Sequence, residues 1–176
     1  VSYCALCDGA FFKGKNVAVV GGGDSAAKEA LLLSEFCPKV YIVCRSTFRP
    51  EPVNAERVKA NPKIEVILAD QPTKVEGTEK VTGLTLKSGR KLDLDAVFVA
   101  IGHIPLSELA EQVGAKLNDK KEIVINRRTE TSVPGLYAAG DVCDTEFKQA
   151  ITGAAEAVTA SYFAFEYLSN CKISWG

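Results

Sequence analysis

The chain has 176 residues, 47% of them hydrophobic and 24% charged, with a formal net charge of −1, so one or two small globular domains fit and the basic face that nucleic acid requires is absent. No apolar run approaches the roughly 20 residues of a membrane span, and Val1-Ser2-Tyr3-Cys4 has neither the basic start nor the apolar core of a signal peptide. Six cysteines in a chain this rich in Val, Ile, Leu and Ala do not read as a secreted disulfide framework, and the lack of any Met leads us to expect a piece of a longer, cytoplasmic protein.

The first element carries chemistry. Cys4-Ala5-Leu6-Cys7-Asp8 sets two thiols one helical turn apart at an expected helix start, where the positive end of the helix lowers a thiol pKa. Asp8 is placed to move a proton to or from a thiolate. Half a zinc site is the competing reading, but no second CxxC or His pair exists and His103 is the only histidine, so no metal is expected. Cys37, Cys44, Cys143 and Cys171 stand among apolar neighbours and read as small buried hydrophobes.

Residues 16–20 form a short apolar run that predicts a buried parallel strand. It ends in Gly21-Gly22-Gly23, followed by the helix-start residues Asp24 and Ser25 and an Ala-, Leu- and Glu-rich helix from Ala26 to Phe36. Pro38 stops that helix, and Val40 to Val43 is a second strand, completing a βαβ unit. Gly21 to Ala26 fits G-x-G-x-x-A in a strand–turn–helix setting. The first Gly permits the tight turn, the second lets backbone approach a pyrophosphate, and the small Ala26 allows close helix–strand packing. After the second strand an acid would select NAD; here Arg45 and Arg49 follow instead and can pair with the 2′-phosphate of NADP.

Glu51 to Ala60 reads as a helix and Ile64 to Leu68 as a third strand. Thr73–Glu76, Val81–Lys87 and Lys91–Leu94 alternate polar and apolar residues and predict an antiparallel meander. Ala96 to Ile101 is a further apolar strand, and Gly102-His103-Ile104-Pro105 marks a turn or boundary. Residues 106–135 read as loop with one strand at Ile123 to Ile125. Leu136 to Ala139 reads as a short strand ending at Gly140-Asp141, and a last helix is expected from Phe147 to Leu168.

These motifs, in this order, resemble the low-molecular-weight thioredoxin reductases: the CxxC-Asp-Gly start, the Gly21–Ala26 loop, Arg45 with Phe48-Arg49, Gly102-His103-Ile104-Pro105, the Thr131–Val142 stretch and Lys148-Gln149-Ala150-Ile151-Thr152. The resemblance implies an α/β fold in which a Rossmann-like domain at residues 1–103, three-layered with a parallel sheet and an antiparallel meander, carries the CxxC and binds NAD(P)H. Residues 104–176 would then be the C-terminal part of an FAD-binding domain. It further implies a thioredoxin-disulfide reductase acting as a homodimer, passing electrons from NADPH through FAD to the Cys4–Cys7 disulfide and on to thioredoxin or a similar small disulfide protein. Cys7 would face the flavin, Cys4 would attack the partner disulfide, and Asp8 would be the acid/base. Gly102 and His103 would belong to the cofactor site. Gly140 and Asp141 would bond FAD, and Lys148, Gln149 and Ala150 would lie against its isoalloxazine.

The chain departs from the family pattern in three places. The N-terminal flavin lobe with its own glycine loop is absent, Val43-Cys44-Arg45 stands where the family has His-Arg-Arg, and Lys148 replaces an Arg. By itself the chain is therefore expected to be a poor reductase that binds flavin weakly and self-associates. The alternatives are a related CxxC flavoprotein using NADH or another donor, a flavoprotein reductase of a peroxidase system, or a nucleotide-binding module without turnover.

Overall fold

The computed structural model describes residues 1–170. They fall into two compact units, one of Val1–Gly102 and one beginning at His103.

The first unit opens with helix α1 (Ala5–Asp8) and a single 3-10 turn (Gly9–Phe12), then strand β1 (Asn16–Val20), helix α2 (Asp24–Ser34) and strand β2 (Lys39–Val43). Helix α3 (Pro52–Ala60) and strand β3 (Ile64–Ile67) follow, then β4 (Pro72–Gly77), β5 (Val81–Leu86), β6 (Lys91–Asp93) and β7 (Ala96–Val99). The parallel sheet has the order β3-β2-β1-β7, and β4-β5-β6 form a separate antiparallel sheet.

Strand side chains alternate between faces, and here each face has its own core. Val17, Val19, Val40, Ile42, Ala96 and Phe98 join a cluster with Ala26, Ala27, Ala30 and Leu33 of α2 and Val58 of α3. The interleaved Ala18, Val43 and Val97 join Leu84, Leu86, Leu92 and Leu94 from the meander and its end. Helices, parallel sheet and meander thus make the three expected layers. The alanines of α2 are both strong helix formers and thin enough to bring its axis close to the sheet. Pro52 opens α3 at its first turn, where the missing N–H costs nothing.

The second unit is built differently. It contains helix α4 (Glu108–Gln112), which sequence reasoning did not anticipate, and the 21-residue helix α5 (Ala150–Asn170). Neither expected strand forms. Ile123 makes only single bridges to Leu117 and Cys143, and the Leu136–Ala139 run contributes one bridge, Glu130 to Tyr137. The apolar runs are real, but each makes only isolated bridges, so no ladder propagates. Helix α5 begins at Ala150, leaving Phe147, Lys148 and Gln149 in the preceding loop, and none of its residues is buried. No helix among the described residues is long and apolar enough to cross a membrane.

Candidate functional site

A cleft of about 920 Å³ opens at the C-terminal ends of the parallel strands, the usual place for a ligand in such a sheet. Gly21, Gly22, Gly23 and Ser25 line one side, Arg45, Ser46, Thr47 and Arg49 another, and Ala100, Ile101 and Gly102 close it. The glycines differ in what they permit. A Cβ on Gly21 would stand 2.2 Å from the Ala100 carbonyl oxygen, and one on Gly22 would stand 2.7 Å from that of Thr47. Gly23, by contrast, has open space around it and serves as N-cap of α2. Gly22 therefore admits the basic loop: the Arg49 N–H donates to the Gly22 carbonyl at 2.7 Å, and the Cys44 thiol donates to that of Gly21 at 3.1 Å.

Asp24 and Ala26 do not line the cleft. Ala26 is buried beneath Gly21. The Asp24 carboxylate accepts from the Glu51 N–H (3.0 Å) and the Asn54 amide (2.8 Å) and pairs with Lys28 (2.8 Å). Those partners, Lys28 first, pull its pKa down to about 2. Its work is to fix the start of α3 against α2. Sequence reasoning overlooked Ser46, Thr47, Gln71 and Pro72, the last two because the meander returns them to the cleft from beyond β3. With two exposed arginines, two hydroxyl side chains, free N–H groups at the start of α2 and no carboxylate, the lining suits a dinucleotide carrying an extra phosphate.

At the edge of the same sheet sits the dithiol. Cys4 and Cys7 are joined as a disulfide across α1, with Cα atoms 5.3 Å apart. Cys4 is the N-cap: its Sγ accepts from the Cys7 N–H at 3.0 Å. Cys7 is exposed and Cys4 half-buried. The turn is anchored through Ser2, which forms a parallel bridge to Phe98 of β7, donating its N–H to Val97 and accepting from Val99. The Ser2 hydroxyl donates to Asp8 Oδ2 at 2.6 Å and accepts from the Cys4 N–H at 3.1 Å. No sequence signal marked Ser2.

The other cysteines are unsuited to exchange. Cys37, Cys44 and Cys143 are free and buried. Burial raises all three thiol pKa values, Cys143 to about 12, so the reactive thiolate is suppressed. Cys171 lies outside the described residues.

In the second unit, His103 and Lys148 meet at one carboxylate, Lys148 also reaches the Asp141 carbonyl, and Gly140 is held by a second carboxylate. Glu122 is buried, and the Asn118 amide (2.7 Å), Lys148 (3.0 Å) and His103 (3.4 Å) all contact its oxygens. The Asn118 hydrogen bond leads in lowering its pKa to about 2, against the opposing effect of burial. Lys148 also donates to the Asp141 and Cys143 carbonyls at 3.0 and 2.6 Å, so its ammonium is engaged inside the unit. Gly140, at φ +85°, is held by the Glu156 carboxylate, which accepts its N–H at 2.7 Å. A Cβ on Gly153 would stand 3.1 Å from the Gly140 Cα, so two glycines let the start of α5 reach this loop. Gln149 and Ala150 stand at the helix start beside it. Backbone groups of that loop and helix start could hold one portion of a dinucleotide.

Comparison with known proteins agrees with this geometry. The pyridine nucleotide-disulphide oxidoreductase family matches residues 1–157. The chain is 43% identical to the thioredoxin reductase of Mycolicibacterium smegmatis, covering 97% of this chain and 57% of that protein, and 42% identical to that of Schizosaccharomyces pombe, covering 98% and 56%. The crystal structure of thioredoxin reductase from Streptococcus pyogenes superposes with a TM-score of 0.87 at 31% identity, over 96% of this chain and 57% of that one. The chain thus spans little more than half the length of the relatives it matches.

Proposed function

The chain belongs to the pyridine nucleotide-disulphide oxidoreductase family, and from that premise we propose that it carries the nicotinamide-binding and dithiol functions of an NADPH-dependent thioredoxin-disulfide reductase, a cytoplasmic homodimer. The observation that carries this reading is that one unit presents both a glycine-loop cleft flanked by Arg45 and Arg49 and an accessible Cys4–Cys7 pair docked on the edge of the same sheet. Reduced nicotinamide and FAD would together supply the electron pair that opens the disulfide.

The remaining work falls to residues of this chain. Backbone N–H groups at Gly22–Ser25 hold a pyrophosphate, and Arg45 and Arg49 bind the 2′-phosphate, assisted by the Ser46 and Thr47 hydroxyls. Gly140, Asp141, Gln149 and Ala150 are the residues that would hold the flavin, while Lys148 holds their loop in shape through Glu122. Cys4 attacks the disulfide of thioredoxin or a similar small protein, Cys7 resolves the mixed disulfide, and Asp8 takes and returns the proton. The thinned arginine stretch is compatible with the same assignment at lower affinity, since Val43 and Cys44 bring no charge to the phosphate.

Two measurements test this. Titration should show NADPH binding more than about tenfold tighter than NADH, two charge-assisted phosphate contacts contributing ~1.5–3 kcal/mol each, and Arg45→Ala with Arg49→Ala should erase the difference. The chain, reduced with a small dithiol and mixed with oxidised thioredoxin, should lose two alkylatable thiols, those of Cys4 and Cys7. Equal nucleotide affinities would refute the NADPH assignment, and altered labelling at Cys37 or Cys143 would refute the redox assignment.

A further inference from the structure

Ser2 belongs to no motif, yet its hydroxyl touches both ends of the redox turn. We propose that Ser2 is a positioning residue for thiol–disulfide exchange, holding the Asp8 carboxylate in one orientation relative to Cys4 and Cys7. This rests on the acid/base role given to Asp8 above.

A hydroxyl has one hydrogen and two lone pairs, so Ser2 can donate to Asp8 Oδ2 (2.6 Å) and accept from the Cys4 N–H (3.1 Å) at the same time. The first contact has the length of a charge-assisted bond to a carboxylate. Ser2 itself cannot drift. It is 6% exposed, and its backbone is bonded in both directions to β7, at 2.9 Å to Val97 and 2.8 Å from Val99. The turn carries the Asp8 backbone, and the orientation of its carboxylate is set through Ser2 by the sheet. One carboxylate oxygen is occupied by Ser2, and the other is left for proton transfer.

The reaction served is balanced. The Cys4 and Cys7 thiols are oxidised to a disulfide while a partner disulfide is reduced to two thiols. The Cys4 sulfur forms the mixed disulfide, and the Cys7 sulfur then displaces the partner from it. Asp8 accepts a proton from the attacking thiol and returns it to the departing sulfur. Loss of the Ser2 hydroxyl leaves the carboxylate free to rotate away from the orientation it holds beside the redox turn.

The test uses the full chain, reduced and freed of reductant, then oxidised by the aromatic disulfide dithiobis(nitrobenzoate) in stopped flow from pH 5 to 9. Ser2→Ala keeps the backbone bonds to β7. It should slow exchange about tenfold. Ser2→Thr should restore the wild-type profile. Asp8→Asn should slow exchange at least as much, and adding Ser2→Ala to it should change nothing further. A Ser2→Ala profile that overlays wild type, or a further loss when it is combined with Asp8→Asn, overturns the proposal while leaving the redox assignment standing. A wild-type chain whose reduced pair does not exchange at all overturns both.

Discussion

Each unit takes a glutamate oxygen out of water, and the two glutamates are handled in opposite ways. Glu122, in the second unit, has its oxygens engaged by Asn118, Lys148 and His103, and its pKa is pulled down to about 2. Glu29, on α2 of the first unit, has an oxygen buried with no hydrogen-bond partner, and burial pushes its pKa up to about 7. The contrast reflects how each unit is held together. The first has an apolar core on each sheet face and can tolerate a misplaced polar group. In the second, Ala115, Ile123 and Cys143 are the buried apolar residues among those described, and Ile151, Val158, Tyr162, Phe165 and Leu168 of α5 stand more than half exposed. There a hydrogen-bonded ionic cluster organises the loops that a core would otherwise fix.

The sharpest way to break this comparison is to truncate one large side chain in each unit. Phe98 is fully buried and packs edge-on against Phe12 at 5.7 Å. Phe98→Ala should cost about 3–5 kcal/mol in denaturant unfolding. Phe165→Ala, at an exposed position on α5, should stay within about 0.5 kcal/mol. Similar costs at both positions would show that the second unit has a core after all.

The next effect should come from Glu122→Ala, which leaves Lys148 inside the unit with only carbonyl partners. Removing one member of a buried pair costs about 3 kcal/mol or more. Hydrogen exchange should then quicken at the amides of residues 117–144, and unchanged protection there would deny the cluster its organising role.

The smallest effect, and the most specific, is in pH. Glu122 lies below its ordinary value of 4.5, so its contribution is complete above pH 4.5 and is lost as the pH falls toward 2. Glu29 lies above the same value, so its penalty is absent below pH 4.5 and grows as the pH rises to about 7. Glu29→Gln should therefore raise the unfolding temperature at pH 8 and leave it unchanged at pH 4. An equal shift at both pH values would show that ionisation is not the cause.

The same contrast explains what could be read from the residues alone. Strand runs such as Val17–Val20 and Ala96–Val99 are flanked by turn residues and meet full-length neighbours, so their pattern and their structure coincide. Leu136–Ala139 has an equally apolar pattern but finds one bridge, because strand formation depends on a partner that local sequence does not reveal. Glu122 follows Lys120 and Lys121 and looks like part of a solvated turn; only the fold shows the carboxylate turned inward. The glycine loop, Arg45, Arg49 and the CxxC were legible because their spacing is local. Ser2, Gln71 and Pro72 were not, since each reaches the site through the sheet.

Strand β7 joins two tasks that could have been kept apart. Its middle holds Ser2, and through it the redox turn, while the residues just past its end wall the cleft, with Ala100 pressed against Gly21. From Phe98, opposite Ser2, to Ala100 is two residues, or ~7 Å at ~3.3 Å per residue. One inserted or deleted residue there would also turn Val97 and Phe98 to the wrong faces. Divergence along this lineage should thus accumulate length changes in the meander turns, while β7 keeps a constant residue count between its serine anchor and its glycine contact.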